Sequence, residues 1–193
     1  MDLVIPEGTE HLRFAQRSEP KTAEEYAESC LFDYEGMKPY LIEGNCLDIG
    51  CGLGGFSALL AKHCGGKLHL LDGTGWTSGR RVGFGPQLDA YNDRAFTEKL
   101  LKANGITNYQ WWDIGSTELP EVSVVTSLLS WGWHYPISTY IDAVAKALRP
   151  GGRLIFDIRP DQPGEDNLRQ RFEYLGTYQG FGKCRKMAWE RRG

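Results

Sequence analysis

Short apolar runs alternate along the chain with longer stretches of helical period. The runs "NCLDIG" (45–50), "KLHLLD" (67–72), "NYQWWDI" (108–114), "EVSVVTSLLSW" (121–131) and "RLIFDI" (153–158) are bounded by glycine, proline or polar residues, as buried strands are. Between them, "GGFSALLAKHC" (54–64), "RAFTEKLLKAN" (94–104) and "ISTYIDAVAKAL" (137–148) carry apolar residues at helical spacing. Each ends where a helix should: at Gly65-Gly66, at Gly105 and at Pro150-Gly151-Gly152. Thr22 with Glu25 forms a capping-box pattern, which predicts a helix to about Phe32. The stretch before it is irregular, and residues 33–44 are rich in turn formers. At the other end, "RFEYLGTYQ" (171–179) and "KCRKMAWER" (183–191) predict a hairpin around Gly180 and Gly182.

Strands that alternate with helices imply right-handed crossovers and a doubly wound, mostly parallel α/β sheet in three layers, closed here by an antiparallel C-terminal hairpin. Ligands of such sheets bind at the carboxyl ends of the strands. Asp48 to Gly50, Asp72, Asp113, the segment Ser127 to His134, and Asp157 all fall at such ends and are expected on one rim. The expected division is an N-terminal segment over 1–39 covering the site and a ligand-binding domain over 40–193.

Bulk properties narrow the functional classes. A chain of 193 residues suits one domain. A net charge of -3 gives no global attraction to nucleic acid or acidic membranes. No window approaches the ~20 apolar residues of a spanning helix, and the first ten residues are too polar for a secretory signal. The five cysteines form no CxxC pair and no metal-ligand spacing, so the expectation is a reduced cytoplasmic protein without a metal.

The loop "DIGCGLGG" after the first strand carries the chemistry. Glycines there let a backbone approach a ligand, and the following helix presents free N–H groups. Read as Gly50-x-Gly52-x-x-Gly55, it fits a dinucleotide fingerprint, with Asp72 the acidic residue that grips a ribose. Read as Asp48-x-Gly50-x-Gly52-x-Gly54, it resembles the first motif of class I S-adenosylmethionine-dependent methyltransferases. Asp48 favours the second reading: a carboxylate is a poor neighbour for a pyrophosphate and a good one for an ammonium and a sulfonium.

The resemblance extends over about residues 40–190 and implies a set of roles. Asp48, Gly50, Gly52, Gly54 and Gly73 would line the cofactor, with Asp72 on the ribose hydroxyls. Asp113 and Ile114 would hold the adenine, and Ser127 and Leu128 would lie against the methionine part. The cofactor implied is S-adenosyl-L-methionine, leaving S-adenosyl-L-homocysteine as product. Each residue also has a plain structural reading: Asp72 and Asp113 as turn residues, Cys51 as a small buried one. Of Trp111 and Trp112, which alternate faces, one would be core and the other would cover the adenine.

A hydroxyl acceptor must lose its proton during attack, and histidine is the usual base. His134 follows the fourth strand, where such enzymes place acceptor-facing residues, and is the candidate general base, or else a structural histidine of the core. Asp157, with Asp161, could orient it or serve as the base instead. Trp131, Trp133 and Tyr135 are expected as an aromatic wall for a flat or sugar-like acceptor, or else as a hydrophobic cap on the sheet. "SWGWHYP" (130–136) is also similar to sugar O-methyltransferases of this class. The long interval 73–93 contains Arg80 and Arg81 and reads as a lid meeting an acidic group, or as a passive loop.

The expected partner is thus a small-molecule acceptor. A nucleic-acid or protein acceptor is less favoured, because strand alternation makes the basic tail a solvated edge. A dinucleotide-dependent oxidoreductase is the rival from another class, but no Tyr-x-x-x-Lys pair is present: Tyr140 is followed four residues later by Val144. Oligomeric state is not encoded in these patterns.

Overall fold

The structure is a computed structural model that describes residues 1–8, 22–73, 75–76, 91–161, 164–180 and 184–193. Its order is α1 (Ala23–Met37), β1 (Gly44–Ile49), α2 (Gly55–Cys64), β2 (Gly65–Leu71), β3 (Gly75–Trp76), β4 (Tyr91–Asn92), α3 (Arg94–Ala103), β5 (Tyr109–Trp112), β6 (Val122–Ser127), α4 (Ile141–Ala147), β7 (Leu148–Ile158), α5 (Glu165–Arg171), β8 (Phe172–Thr177) and β9 (Arg185–Arg191). Seven strands form one sheet in the order β5-β2-β1-β6-β7-β9-β8. The first five are parallel, and β9 runs antiparallel to both of its neighbours, β7 and β8. Strand order reverses between β1 and β6, which pair directly.

Side-chain alternation divides the interior into two layers. Cys46, Leu68, Leu70, Val124, Ile155 and Ala188 face α1, α2 and α3. Leu47, Ile49, Val125, Leu154, Phe156 and Trp189 face α4 and α5. A doubly wound, three-layer architecture with an antiparallel C-terminal hairpin was the expected fold, and the structure has it.

The capping box forms as expected: Glu25 N donates to Thr22 Oγ1 and Thr22 N to Glu25 Oε2. The helix then runs five residues past Phe32, because Cys30, Tyr34 and Met37 continue one buried stripe. Gly36 sits inside it because a Cβ there would lie 1.7 Å from the Gln179 carbonyl oxygen. Thus α1 presses on the C-terminal hairpin at one end and on α2 at the other. Asp93 caps α3 through Phe96 N.

Three differences from the sequence reading bear on the rim. The fourth strand stops at Ser127 rather than Trp131, and 128–136 forms a compact loop. A short helix, α5, occupies Glu165–Arg171, where Leu168 is the only buried residue and so gave no periodic signal. The interval after Asp72 opens as a two-residue antiparallel ladder of β3 with β4; its middle, including Arg80 and Arg81, lies outside the described residues.

Candidate functional site

The glycine loop is a chain of left-handed residues: Gly50, Gly52 and Gly54 have φ of +77°, +53° and +81°, where side chains are strained. Their surroundings differ. A Cβ on Gly50 would lie 2.0 Å from Ser130 Oγ, so the loop is packed against the segment that follows β6. A Cβ on Gly54 would meet Thr97 of α3 at 2.6 Å. A Cβ on Gly52 would meet nothing within 4 Å among the described residues, which leave the space over the middle of the loop open.

Asp72 closes this loop from the end of β2. Its carboxylate accepts from Gly52 N at 2.8 Å and from Gly73 N at 2.7 Å. Burial pushes its carboxyl pKa up, opposed by those two N–H groups. The Cys51 thiol beside it is pushed well up by burial and by Asp72, which leaves it protonated and a poor nucleophile.

Asp48 lies one layer deeper. It is buried, with Oδ2 accepting from Ser57 Oγ at 2.5 Å and Oδ1 from Thr126 Oγ1 at 3.0 Å. Burial pushes its pKa up to about 6 against the pull of both hydroxyls. It knits β1, α2 and β6 together below the loop, and any effect on a bound cation is through the field rather than by open contact.

Arg94 joins the two acidic residues expected at the ribose and the adenine. Its Nη2 donates to the Asp72 carbonyl oxygen at 3.2 Å and to Asp113 Oδ1 at 2.8 Å, and its guanidinium lies 4.7 Å from the Trp111 ring centre. Its Nε is buried without a partner. Asp113 itself is 86% exposed in a turn after β5, with Ile114 half-buried beside it. Trp111 and Trp112 are both half-buried on opposite faces, Trp111 donating to Glu98 and Trp112 to His69, so neither is core. Burial lowers the His69 pKa to about 4.

At the end of β6, Ser127 is fully buried and acts as a staple: its Oγ donates to Ile49 O at 2.8 Å and accepts from Trp131 N at 2.9 Å. Leu128 is half-buried against the α1–α3 layer. Leu129 takes φ +51°, the one non-glycine residue with positive φ among those described, at a cost of about 1–2 kcal/mol. His134 N donates to Ser130 O at 2.7 Å, so His134 is one hydrogen bond from the residue that packs on Gly50. Its ring is half-buried, 6.5 Å from that of Tyr135 at a steep angle; Trp133 and Tyr135 are half-buried too.

Two expected site residues belong elsewhere. Trp131 is 0% exposed, stacked on Phe156 with centroids 4.9 Å apart, and donates its indole N–H to Ile137 O. It is core, because the chain turns inward at Ser127 instead of continuing along the rim. Asp157 is also 0% exposed, its carboxylate taken by Lys186 Nζ at 3.1 Å to each oxygen, by Tyr178 OH at 2.8 Å and by Leu129 N at 3.3 Å. It has no capacity left to serve as a base or to orient His134. Asp161 points outward, paired with Arg159. Lys186, expected on a solvated edge, is buried because β9 lies between β7 and β8.

The structure also brings in residues that the sequence did not single out. Tyr26 of α1 accepts from Gly55 N at 3.1 Å, occupying the first N–H of α2, and its ring and Cys30 fill the space a Gly55 Cβ would need. Arg94 had one signal: a cation in a helix's first turn opposes the helix dipole and so has another reason to be there. Ser57, Thr126, Leu129 and Tyr178 had none. Among the described residues no group of three or more His, Cys, Asp or Glu is placed to hold a metal, and no helix is long and apolar enough to cross a membrane.

No protein-family model matches the chain, and no curated protein sequence does. Solved structures match its fold. The N-methyltransferase NodS from Bradyrhizobium japonicum WM9, in complex with S-adenosyl-L-homocysteine, aligns over 93% of this chain and 94% of its own, with a TM-score of 0.60 and 17% identity. An S-adenosylmethionine-dependent methyltransferase from Aquifex aeolicus aligns over 86% and 93%, with a TM-score of 0.59 and 15% identity. TrmN from Thermus thermophilus aligns over 86% of this chain but 48% of its own, with a TM-score of 0.52 and 14% identity. At such identities the likeness is one of fold. Sheet order, crossovers and closing hairpin agree with it: this chain has the class I S-adenosylmethionine-dependent methyltransferase fold.

Proposed function

We propose that this protein is a methyltransferase that binds S-adenosyl-L-methionine and methylates a hydroxyl of a small molecule, with a sugar the favoured class. The observation that carries the reading is the open space over Gly52, edged by the Asp72 carboxylate and closed below by buried Asp48. The covered N-terminus of α2 supports it against a dinucleotide: Tyr26 already occupies the Gly55 N–H that a pyrophosphate would use. The fold of NodS, crystallised with S-adenosyl-L-homocysteine, supports the same cofactor.

When bound, the cofactor supplies a sulfonium-activated methyl group with a neutral thioether as its leaving group. The chain's own work is alignment and desolvation. Gly50, Gly52 and Gly54 admit the cofactor close to the backbone, Asp72 accepts from ribose hydroxyls, and Arg94 holds Asp72 and Asp113 in place. Asp48 favours the cationic end through its field. Ser127 and Leu128 back the methionine part, and Gly73 completes the turn beside Asp72. Trp133 and Tyr135 flank the acceptor. His134 takes the hydroxyl proton at its unprotonated ring nitrogen.

The test is transfer of labelled methyl from S-adenosyl-L-methionine to pools of sugars and phenols, with amines as the comparison. Turnover on a hydroxyl pool that falls about 100-fold in His134→Ala, with cofactor binding intact, is the expected result. Full turnover in that variant would remove His134 from the mechanism, and turnover on amines alone would replace the acceptor class.

A further inference from the structure

Asp157 does not meet the acceptor, yet it is joined to the loop that does. Leu129 adopts a conformation unfavourable for its residue type, and its side chain is 37% exposed, so burial offers little compensation. Something else must hold it. Its backbone N–H donates to Asp157 Oδ2 at 3.3 Å. The same loop meets β7 again at Gly132, where a Cβ would lie 2.7 Å from the Asp157 carbonyl oxygen, and where Gly132 O accepts from Arg159 N at 3.0 Å. The loop that carries Trp133 and His134 therefore rests on the end of β7 through Asp157.

On its other side Asp157 is held from the C-terminal hairpin. Tyr178 OH donates to Oδ1, and Lys186 Nζ lies 3.1 Å from both oxygens and 3.8 Å from Asp33 of α1. Tyr178 and Lys186 are also wall residues of a cavity of about 530 Å3, together with Phe32, Cys184 and Met187. One carboxylate thus stands between the docked hairpin and the strained loop.

We propose that Asp157 is a positioning residue: held by Tyr178 and Lys186 of the docked C-terminal hairpin, it keeps Leu129 in the left-handed conformation and thereby sets the 128–134 loop. A plain structural ion pair would stabilise the fold without selecting one loop conformation. This one ends on the backbone of the strained residue. The inference takes from the methyltransferase reading only the role of the loop it positions.

Tyr178→Phe removes the hydroxyl that fixes Asp157 while keeping the ring, and Asp157→Asn keeps the shape while removing the charge. Amide hydrogen exchange is followed in both across 127–134 and in β1, beside unfolding midpoint and titration with S-adenosyl-L-homocysteine. In Tyr178→Phe the amides of 129–134 should exchange about tenfold faster, as expected when one buried hydrogen bond is weakened, with β1 protection little changed. Adding Leu129→Gly, which accepts positive φ without strain, should remove most of that loss. Equal loop exchange in wild type and both single variants would overturn the proposal. So would a uniform rise across loop and β1, which is what a purely structural role gives. Failure of the wild type to bind S-adenosyl-L-homocysteine would overturn the cofactor reading and leave the exchange result to decide this one.

Discussion

The rim has two halves, built by different means. Around β1 and β2 the site is made of backbone: left-handed glycines, N–H groups on Asp72 and a carboxylate sealed beneath. Around β6 and β7 it is made of side chains that arrive from far along the sequence, with Lys186 and Tyr178 converging on Asp157 across 29 and 21 residues. The first half follows a sequence signature, glycines at fixed spacing with an acidic residue at the end of the next strand. The second exists only once the hairpin and α1 have docked. In the proposed function, cofactor binding falls to the half with the sequence signature, and acceptor choice to the half assembled by tertiary packing.

The largest expected effect lies in the second half. Lys186→Met leaves Asp157 and Asp33 without their shared ammonium and should cost about 3–5 kcal/mol in urea unfolding. A loss under about 1 kcal/mol would mean that this half does not depend on its long-range ion pair.

Next comes Asp48 in the first half. Its folded pKa of about 6 exceeds the ~3.9 of an unfolded aspartate, so the folded state binds more protons between those values. The contribution is present in full below about pH 4 and lost as pH rises through about 6. Across that window wild type should lose about 3 kcal/mol relative to Asp48→Asn. Equal pH slopes for the two proteins would show that the site below the glycine loop is not the desolvated carboxyl described here.

The smallest effect sharpens the boundary of the cofactor half. Arg94→Ala should weaken S-adenosyl-L-homocysteine about tenfold by releasing Asp72 and Asp113, because the pair it breaks is largely exposed on the Asp113 side. Calorimetry reads it directly. An unchanged affinity would confine the cofactor half to the glycine loop and Asp72.

What could be read from the sequence follows the same division. Five parallel strands, their helices, the closing hairpin and the glycine–Asp72 pair were legible, because each is encoded by local periodicity or by glycines at fixed spacing. Trp131 was misplaced because a residue that ends an apolar run can continue on the rim or turn into the core, and only the Ser127 staple decides. Asp157 looked available because its ammonium partner sits in a tail whose alternation suggested a solvated edge. α5 was missed for want of apolar period. Arg94 was the one missed site residue with a local cue, its charge against the helix dipole.

On the proposed function, the glycine half binds S-adenosyl-L-methionine. Calorimetric titration of the protein with S-adenosyl-L-homocysteine and with NAD, repeated in Asp72→Ala, tests it most directly. Micromolar binding of S-adenosyl-L-homocysteine, none of NAD, and a loss of about 100-fold or more in Asp72→Ala are expected. Binding of NAD alone, or S-adenosyl-L-homocysteine affinity indifferent to Asp72, would contradict it.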